Sequence, residues 1–151
     1  IRDVVNANDR PIVCVEIGSY CGYSAVRIAS HFTHPSSKLY SIEIEPNCVQ
    51  WTQRMVTLAQ LSDRVTIIEG NVSRAIAYLL QLNVEPVDIL FIDHDKKLYL
   101  RDLMAFENSG LLRHPGGVVV ADNVLCFNSP LDDYLRHVRC QHEDTAEVCS
   151  G

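Results

Sequence analysis

A short apolar run that ends in an acidic residue occurs five times along this 151-residue chain, at residues 12–16, 39–43, 65–69, 89–93 and 118–122. The terminal acids lie 24 to 29 residues apart, close to the ~30 residues that a strand, a helix and a return loop require. The runs are rich in Val and Ile and lack polar alternation, which is typical of strands buried on both faces of a parallel sheet. The pattern therefore predicts a repeated β-α unit.

Helical patterns fill the intervals between these runs. They predict helices at residues 24–32, 46–61, 73–82, 99–112 and 131–138, each bounded by Gly, Pro, Ser or Asn. In the second helix, Trp51, Met55 and Leu58 recur at helical spacing, and we interpret this stripe as part of the core. The alternation predicts a single α/β domain over residues 1–151, with an open, doubly wound sheet and right-handed crossovers.

Composition excludes several classes of protein. The net charge is −6 and the sequence has no Lys/Arg cluster, so it offers no footprint for nucleic acid. No apolar stretch approaches the ~20 residues of a membrane span. The six cysteines form no C-x-x-C pair, and we expect Cys14 and Cys48 to be buried thiols of a protein from a reducing, cytoplasmic compartment. Because the chain begins at Ile1, we expect a piece of a longer protein, in which a membrane anchor could precede it.

The turn after the first run contains two glycines, Gly18 and Gly22. Glycines there let the backbone approach a ligand closely, and the helix that follows supplies free N–H groups. A tight turn without a ligand is the alternative. The third glycine of the dinucleotide fingerprint is absent, which disfavours a nicotinamide-dependent oxidoreductase. At the end of the second run, Glu43 stands where nucleoside-binding α/β proteins accept hydrogen bonds from ribose hydroxyls.

Polar side chains follow the fourth and fifth runs, in the segments Asp93-His94-Asp95-Lys96 and Asp122-Asn123. If these strands are neighbours, the carboxylate and amide oxygens meet at one sheet edge, where they suit Mg²⁺ or Ca²⁺. A nearby divalent cation would lower the pKa of Lys96 toward that of a general base. We expect His94 to pack against a cofactor ring, because imidazole suits softer metals. Ordinary polar loop ends are the alternative interpretation.

Taken together, these segments resemble the catechol O-methyltransferase family of S-adenosylmethionine-dependent enzymes. The residues that carry the resemblance are 16–24, Ser41-Ile42-Glu43-Ile44, Phe91-Ile92-Asp93-His94 with Lys96, and the stretch 111–124. The similarity covers about residues 1–139, and the tail 140–151 diverges. It implies the Rossmann-like, mainly parallel sheet of the class I methyltransferases, in a partial domain from which the last strands could be missing.

The resemblance also implies roles for individual residues. S-adenosylmethionine (SAM) would bind along its methionine and ribose parts to Glu16, Gly18, Tyr20 and Ser24. Its ribose hydroxyls would bind Glu43, and its adenine would pack against Ile44 and His94. Mg²⁺ would be held by Asp93, Asp122 and Asn123. Lys96 would be the catalytic base, and Lys96 and Asn123 would contact the substrate.

The activity implied is Mg²⁺-dependent methyl transfer from SAM to one hydroxyl of a catechol, such as a catecholamine or a related diphenol. Asp95, however, stands where the family usually has Trp. A second hypothesis is therefore a methyltransferase-like binding or regulatory protein with little activity. If the last strands are missing, residues 118–120 form an exposed apolar sheet edge, and we expect self-association there.

Overall fold

The computed structural model describes the backbone of residues 1–7, 9–124 and 131–146. Five strands alternate with helices in this part of the chain. The strands are β1 (Val13–Ile17), β2 (Lys38–Glu43), β3 (Val65–Glu69), β4 (Ile89–Ile92) and β5 (Val118–Ala121). The helices are α1 (Arg2–Asn6), α2 (Tyr23–Ser30), α3 (Pro46–Leu58), α4 (Val72–Gln81), α5 (Tyr99–Ser109) and α6 (Asp132–Ala146), with a 3₁₀ helix at Lys96–Leu98. The predicted β-α repetition is confirmed.

All five strands are parallel and form one sheet in the order β3-β2-β1-β4-β5. The chain winds outward from β1 to β3, then returns to the other side of β1 for β4 and β5. The strand order therefore reverses between β1 and β4, and open α/β sheets bind ligands outside the carboxyl ends at such a switch point. The register pairs Ile17 with Ile92, so the loops after these two strands start side by side.

Helices cover both faces of the sheet. Val15 and Leu90 belong to the apolar cluster packed with α4, α5 and α6, whereas Cys14 and Ile89 belong to the cluster packed with α1, α2 and α3. Every residue of β1 is buried, as expected for the central strand of a parallel sheet. The period-two alternation of a strand puts Glu16 on the same side as Cys14. A carboxylate is therefore enclosed in the middle of the fold.

The prediction that the apolar stripe of the second helix belongs to the core is wrong. Trp51, Met55 and Leu58 are 48%, 40% and 79% exposed. Helix α3 instead buries the neighbouring face, which carries Cys48, Thr52 and Val56. Because Gly22 has no side chain, α3 approaches the turn after β1 so closely that a Cβ at Gly22 would lie 2.9 Å from the Cα of Thr52. The buried face thus combines two apolar side chains, Cys48 and Val56, with a close approach of the backbone at Thr52.

The two ends of the chain also differ from expectation. Helix α1 was not predicted, and Val5 on its inner side is 2% exposed. Helix α6 continues to Ala146, beyond the predicted end at residue 138. Residues 140–146 of the divergent tail are therefore helical, whereas 147–151 lie outside the described residues.

The thiols in the described part of the chain are free. Cys14 and Cys48 are buried, which confirms the prediction made for these two residues. Burial raises the pKa of the Cys14 thiol to about 12. Cys126 and Cys149 lie outside the described residues. In the same described ranges, no helix has both the length and the hydropathy needed to cross a bilayer.

Candidate functional site

A cavity of about 270 Å³ opens at the carboxyl ends of β1, β2 and β4. Its walls combine apolar side chains with a few polar groups, which is the usual makeup of a small-molecule site. Four residues that the sequence assigned to a cofactor line it, namely Gly18, Glu43, Ile44 and His94. Asn71, Val72, Asp95 and Arg101 also line it. The cavity lies at the switch point of the sheet.

Gly18 brings the loops after β1 and β4 into contact. Its φ is +91°, a conformation that glycine adopts without strain. A Cβ at this position would lie 2.4 Å from the carbonyl oxygen of Asp93. Its own N–H donates to the carbonyl of Ile42 (2.9 Å). Because Gly18 has no side chain, its backbone contacts the ends of β2 and β4 directly after the end of β1, beside the cavity.

Glu43 organises the backbone around it. One carboxylate oxygen accepts from the N–H groups of Ser19 (3.1 Å) and Tyr20 (2.8 Å), and the other accepts from those of Ile44 (2.8 Å) and Glu45 (3.0 Å). Four donors occupy the acceptor positions of a single carboxylate. Glu43 thus fixes both its own turn and the turn after β1, in addition to lining the cavity.

Glu16 is fully buried and incompletely partnered. The Ser41 hydroxyl donates to its Oε2 at 2.6 Å, whereas its Oε1 is buried with no partner in the described part of the chain. Burial raises the pKa of Glu16 to about 7, although the Ser24 and Ser41 hydroxyls act in the opposite direction. A buried carboxylate oxygen without a donor is costly, so this atom favours a ligand that donates a hydrogen bond or carries positive charge.

The other residues assigned to the cofactor lie around the turn after β1. Tyr20 has a φ of +48°, and its exposed ring meets Trp51 edge to face at 6.5 Å. Ser24 is the second residue of α2 and is partly buried. The N-cap residue of α2 is Gly22, which has no side chain to cap the helix. The first N–H groups of α2 are therefore not capped by its N-cap residue, and their availability to a ligand stays a prediction.

His94 is held by an aspartate that sequence analysis missed. Its Nε2 lies 2.8 Å from a carboxylate oxygen of Asp102, and its Nδ1 is buried without a partner in the described residues. Burial alone would raise the pKa of Asp102, but hydrogen bonds from His94 and Arg101 hold it below its ordinary value. The sequence offers one signal for Asp102, because it is an acidic residue on the buried face of the predicted helix, one turn after Tyr99.

The proposed metal ligands follow two strands that are neighbours in the sheet, which is the condition on which the sequence prediction depends. Ile92 pairs with Ala121 in the register of β4 and β5, so Asp93 and Asp122 leave the sheet side by side. An oxygen of Asp122 accepts from the backbone N–H of Asn123 (2.8 Å), whose φ is +55°. Among the described residues, no three His, Cys, Asp or Glu side chains are arranged to hold a metal ion. The two aspartates and one amide remain the predicted ligands.

Lys96 lies between these two loops. Its Nζ is 3.3 Å from a carboxylate oxygen of Asp93 and donates to the Tyr99 hydroxyl at 2.6 Å. Burial lowers the pKa of Lys96, but the hydrogen bonds to Tyr99 and Asp93 outweigh it, so the net pKa lies above the ordinary value. The predicted lowering refers to Lys96 beside a divalent cation, and it stays a prediction.

Fold and site together define a class, the doubly wound α/β proteins with a ligand cavity at the switch point of a parallel sheet. A family model described as a methyltransferase domain matches residues 15–124. The chain belongs to this methyltransferase family and, within it, to the catechol O-methyltransferase group.

Two curated relatives and one solved structure illustrate this membership. The chain is 44% identical to catechol O-methyltransferase of Sus scrofa over 92% of its own length and 73% of the relative's. Identity to the Bos taurus enzyme is 42%, over 92% and 50%. The chain thus spans between half and about three quarters of these relatives. The O-methyltransferase TomG of Streptomyces achromogenes, solved in complex with SAM, matches with a TM-score of 0.72 and 26% identity, over 97% of this chain and 64% of TomG.

Proposed function

We propose that this chain carries the core of an O-methyltransferase that transfers a methyl group from SAM to a catechol hydroxyl with the aid of Mg²⁺. The observation that supports the proposal most directly is the contact between Gly18 and Asp93. It puts the cavity beside the loop that carries Lys96. A methyl donor and a hydroxyl substrate could therefore meet where these two loops touch.

The residues present fit SAM. The unpartnered Oε1 of Glu16 suits the ammonium group of its methionine part, because a buried carboxylate is stabilised by a cationic partner. The cavity beside Gly18 has Ile44 and Val72 in its walls, which suits a flat purine ring. When bound, SAM supplies a methyl group on a positively charged sulfur. TomG, a structural neighbour of this chain, was solved with SAM.

The residues after β4 and β5 fit a hard divalent cation. Asp93, Asp122 and Asn123 offer oxygen donors, which Mg²⁺ prefers. Mg²⁺ would supply a Lewis acid that lowers the pKa of a bound hydroxyl. Asp93 already accepts a hydrogen bond from the positively charged Lys96, which indicates that this oxygen lies in a position suited to a cationic partner.

Lys96 is the group proposed to accept the substrate proton, which requires its amine to be neutral, and the lowering of its pKa expected beside a divalent cation would supply that form. Its Nζ lies beside Asp93, so a hydroxyl held at the aspartates comes within reach of the amine. Asn123, the third proposed ligand, would contact the same hydroxyl. Holding the nucleophile against the methyl group in a fixed orientation supplies much of the acceleration in such reactions.

A methyltransferase-like binding protein with little activity is the second candidate. Asp95 lines the cavity, and its carboxylate accepts from the N–H of Lys97 (3.1 Å) at the start of the 3₁₀ helix. A carboxylate lacks the apolar face that Trp, the family residue at this position, would offer to an aromatic substrate. The cofactor site would then be retained without efficient capture of a catechol.

Calorimetric titration with SAM, with and without Mg²⁺, followed by a methyl-transfer assay on catechol, separates these functions. We expect saturable SAM binding and turnover that requires Mg²⁺. Binding without turnover would favour the second candidate. NADH is the control ligand, and tight NADH binding in place of SAM binding would contradict both candidate functions and favour an oxidoreductase.

The cytoplasmic location of the protein stays a prediction.

We further propose that two copies of the chain associate through the edge of the sheet. Strand β5 pairs only with β4 among the described residues, and Val119 on it is 37% exposed. An open apolar edge strand favours pairing with another chain. Val119→Lys is expected to convert a dimer or larger species to monomer in light scattering, whereas the control Leu58→Lys on α3 leaves the mass unchanged. A wild-type chain that stays monomeric at every concentration would contradict this proposal.

A further inference from the structure

We propose that Tyr99 is a positioning residue, whose hydroxyl holds Lys96 in place and ties the loop after β4 to the loop after β5. This inference rests on the proposed function, because it assigns to Tyr99 the task of orienting the proposed base. Tyr99 itself contacts neither the cavity residues Gly18 and Glu43 nor the three proposed metal ligand side chains through a hydrogen bond in the described part of the chain.

The hydroxyl of Tyr99 is bonded on both sides. It accepts from Nζ of Lys96 at 2.6 Å and donates to the carbonyl oxygen of Asp122 at 3.2 Å. The ammonium of Lys96 also lies 4.7 Å from the centre of the Tyr99 ring. A continuous series of contacts therefore runs from Asp93 through Lys96 and Tyr99 to the backbone of Asp122.

The ring that carries this hydroxyl is immobilised. Tyr99 is fully buried and is the first residue of α5. His94 stacks on it with ring centres 5.2 Å apart and an interplanar angle of 16°, and Tyr134 meets it edge to face at 5.7 Å. A phenol fixed in this way presents its oxygen at a defined point, which a flexible side chain could not do.

Lys96 needs such a partner because its side chain is long and flexible. A lysine side chain has four rotatable bonds, and restricting their rotation costs conformational entropy. Asp93 alone binds the ammonium at 3.3 Å and would allow it to swing. The shorter contact to Tyr99 comes from a second direction and selects one arrangement. Loss of the hydroxyl would leave Lys96 present but mobile.

Tyr99→Phe and Tyr134→Phe form a matched pair of variants for the test. Both remove one hydroxyl from a buried ring of the same cluster, but the Tyr134 hydroxyl bonds neither Lys96 nor Asp122 among the described residues. Tyr99→Phe is expected to lower kcat for methyl transfer about ten- to hundredfold, the factor expected for one lost hydrogen bond to a charged group. The KM for SAM is expected to stay unchanged. Tyr134→Phe is expected to keep kcat within about threefold of wild type.

Two further measurements separate positioning from a general loss of structure. In a Lys96→Ala background, Tyr99→Phe is expected to cause no additional loss of kcat, because its effect acts through Lys96. Acetylation of Lys96 by acetic anhydride, followed by peptide mass spectrometry with Lys97 as the internal reference, is expected to be faster in Tyr99→Phe than in wild type or Tyr134→Phe. This second measurement does not depend on turnover.

The outcomes are distinct. Equal kcat values for the two Phe variants, or an undiminished effect of Tyr99→Phe without Lys96, would overturn the inference. A wild-type chain that binds SAM but transfers no methyl group would contradict the proposed function. In that case the acetylation rates decide: an unchanged rate for Lys96 in Tyr99→Phe overturns the positioning role, and a selective increase supports it.

Discussion

A Lys96→Ala chain is expected to bind SAM as wild type does and to transfer methyl groups about 10²- to 10⁴-fold more slowly, the usual contribution of a positioned general base. Lys96 contacts Asp93 and Tyr99, both on the side of the cavity where the hydroxyl substrate is proposed to bind. Its absence should therefore remove proton acceptance and leave the donor site intact. Calorimetry and initial rates with catechol measure the two effects separately.

Lys97→Ala is the matched control for this prediction. Lys97 is the next residue and is exposed, and its backbone N–H donates to the carboxylate of Asp95. The alanine variant should retain both binding and rate. Thermal unfolding of the Lys96→Ala chain checks that the fold persists. Turnover within a few-fold of wild type in the Lys96 variant would show that another group accepts the proton.

Glu16→Gln is expected to weaken SAM binding roughly ten- to hundredfold at about pH 7.5, because a charged hydrogen-bond acceptor is lost from a buried site. The pKa of Glu16 is about 7 without ligand, so binding of a cation requires the carboxylate to lose its proton. The wild-type Kd should consequently rise about tenfold for each unit by which the pH falls below about 7. The Gln variant lacks this dependence. Calorimetric titrations across this pH range provide the test.

The free energy of unfolding of the ligand-free chain should decrease over the same rise in pH that strengthens SAM binding. The pKa of Glu16 is about 7 in the folded chain, whereas its ordinary value is 4.5. Between pH 4.5 and about 7, this carboxyl is therefore protonated in the folded state and ionised in the unfolded state. Stability therefore falls as the pH rises from 4.5 to about 7 and stays lower above it. At about pH 7.5, Gln at this position should stabilise the ligand-free chain by up to roughly 3 kcal/mol. Thermal unfolding detects this as a gain of several degrees.

The exposed, strand-terminal Glu69 on β3 offers the control for both effects. Glu69→Gln changes the same charge at a solvated position and should alter neither SAM affinity nor unfolding temperature. A Glu16→Gln chain that is both less stable and less able to bind SAM would indicate a purely structural carboxylate, and would remove Glu16 from the ligand site.

The sheet and the meeting of its loops were predictable from the sequence because both follow from period and position. An apolar run followed by an acid marks each strand and its carboxyl end, and parallel strands bring those ends to one edge. Asp93 and Asp122 were expected to meet if β4 and β5 are neighbours, and the register of these two strands shows that they are. Roles of individual side chains at the site stay predictions.

The failures involve contacts that no local pattern encodes. Helical spacing identified the stripe containing Trp51 but could not show that the adjacent face, with Thr52, is the one pressed against Gly22. Tyr99 was assigned only as the start of a helix, because the distance from its hydroxyl to Lys96 and Asp122 depends on three elements at once. Asp102 was missed for the same reason. Tertiary geometry, and not composition, brings these residues into contact.

The four backbone donors gathered by Glu43 have a thermodynamic consequence for recognition. A loop that becomes ordered only around its ligand loses about 1–2 kcal/mol of conformational entropy per residue at the moment of binding. Here the turn after β1 and the turn after β2 are already joined through one carboxylate. The conformational entropy of these two turns is therefore lost when the chain folds, and it is not lost again when a ligand binds. We therefore expect a ligand that binds at this edge of the sheet to lose little affinity to loop ordering, because these turns are already ordered before it binds.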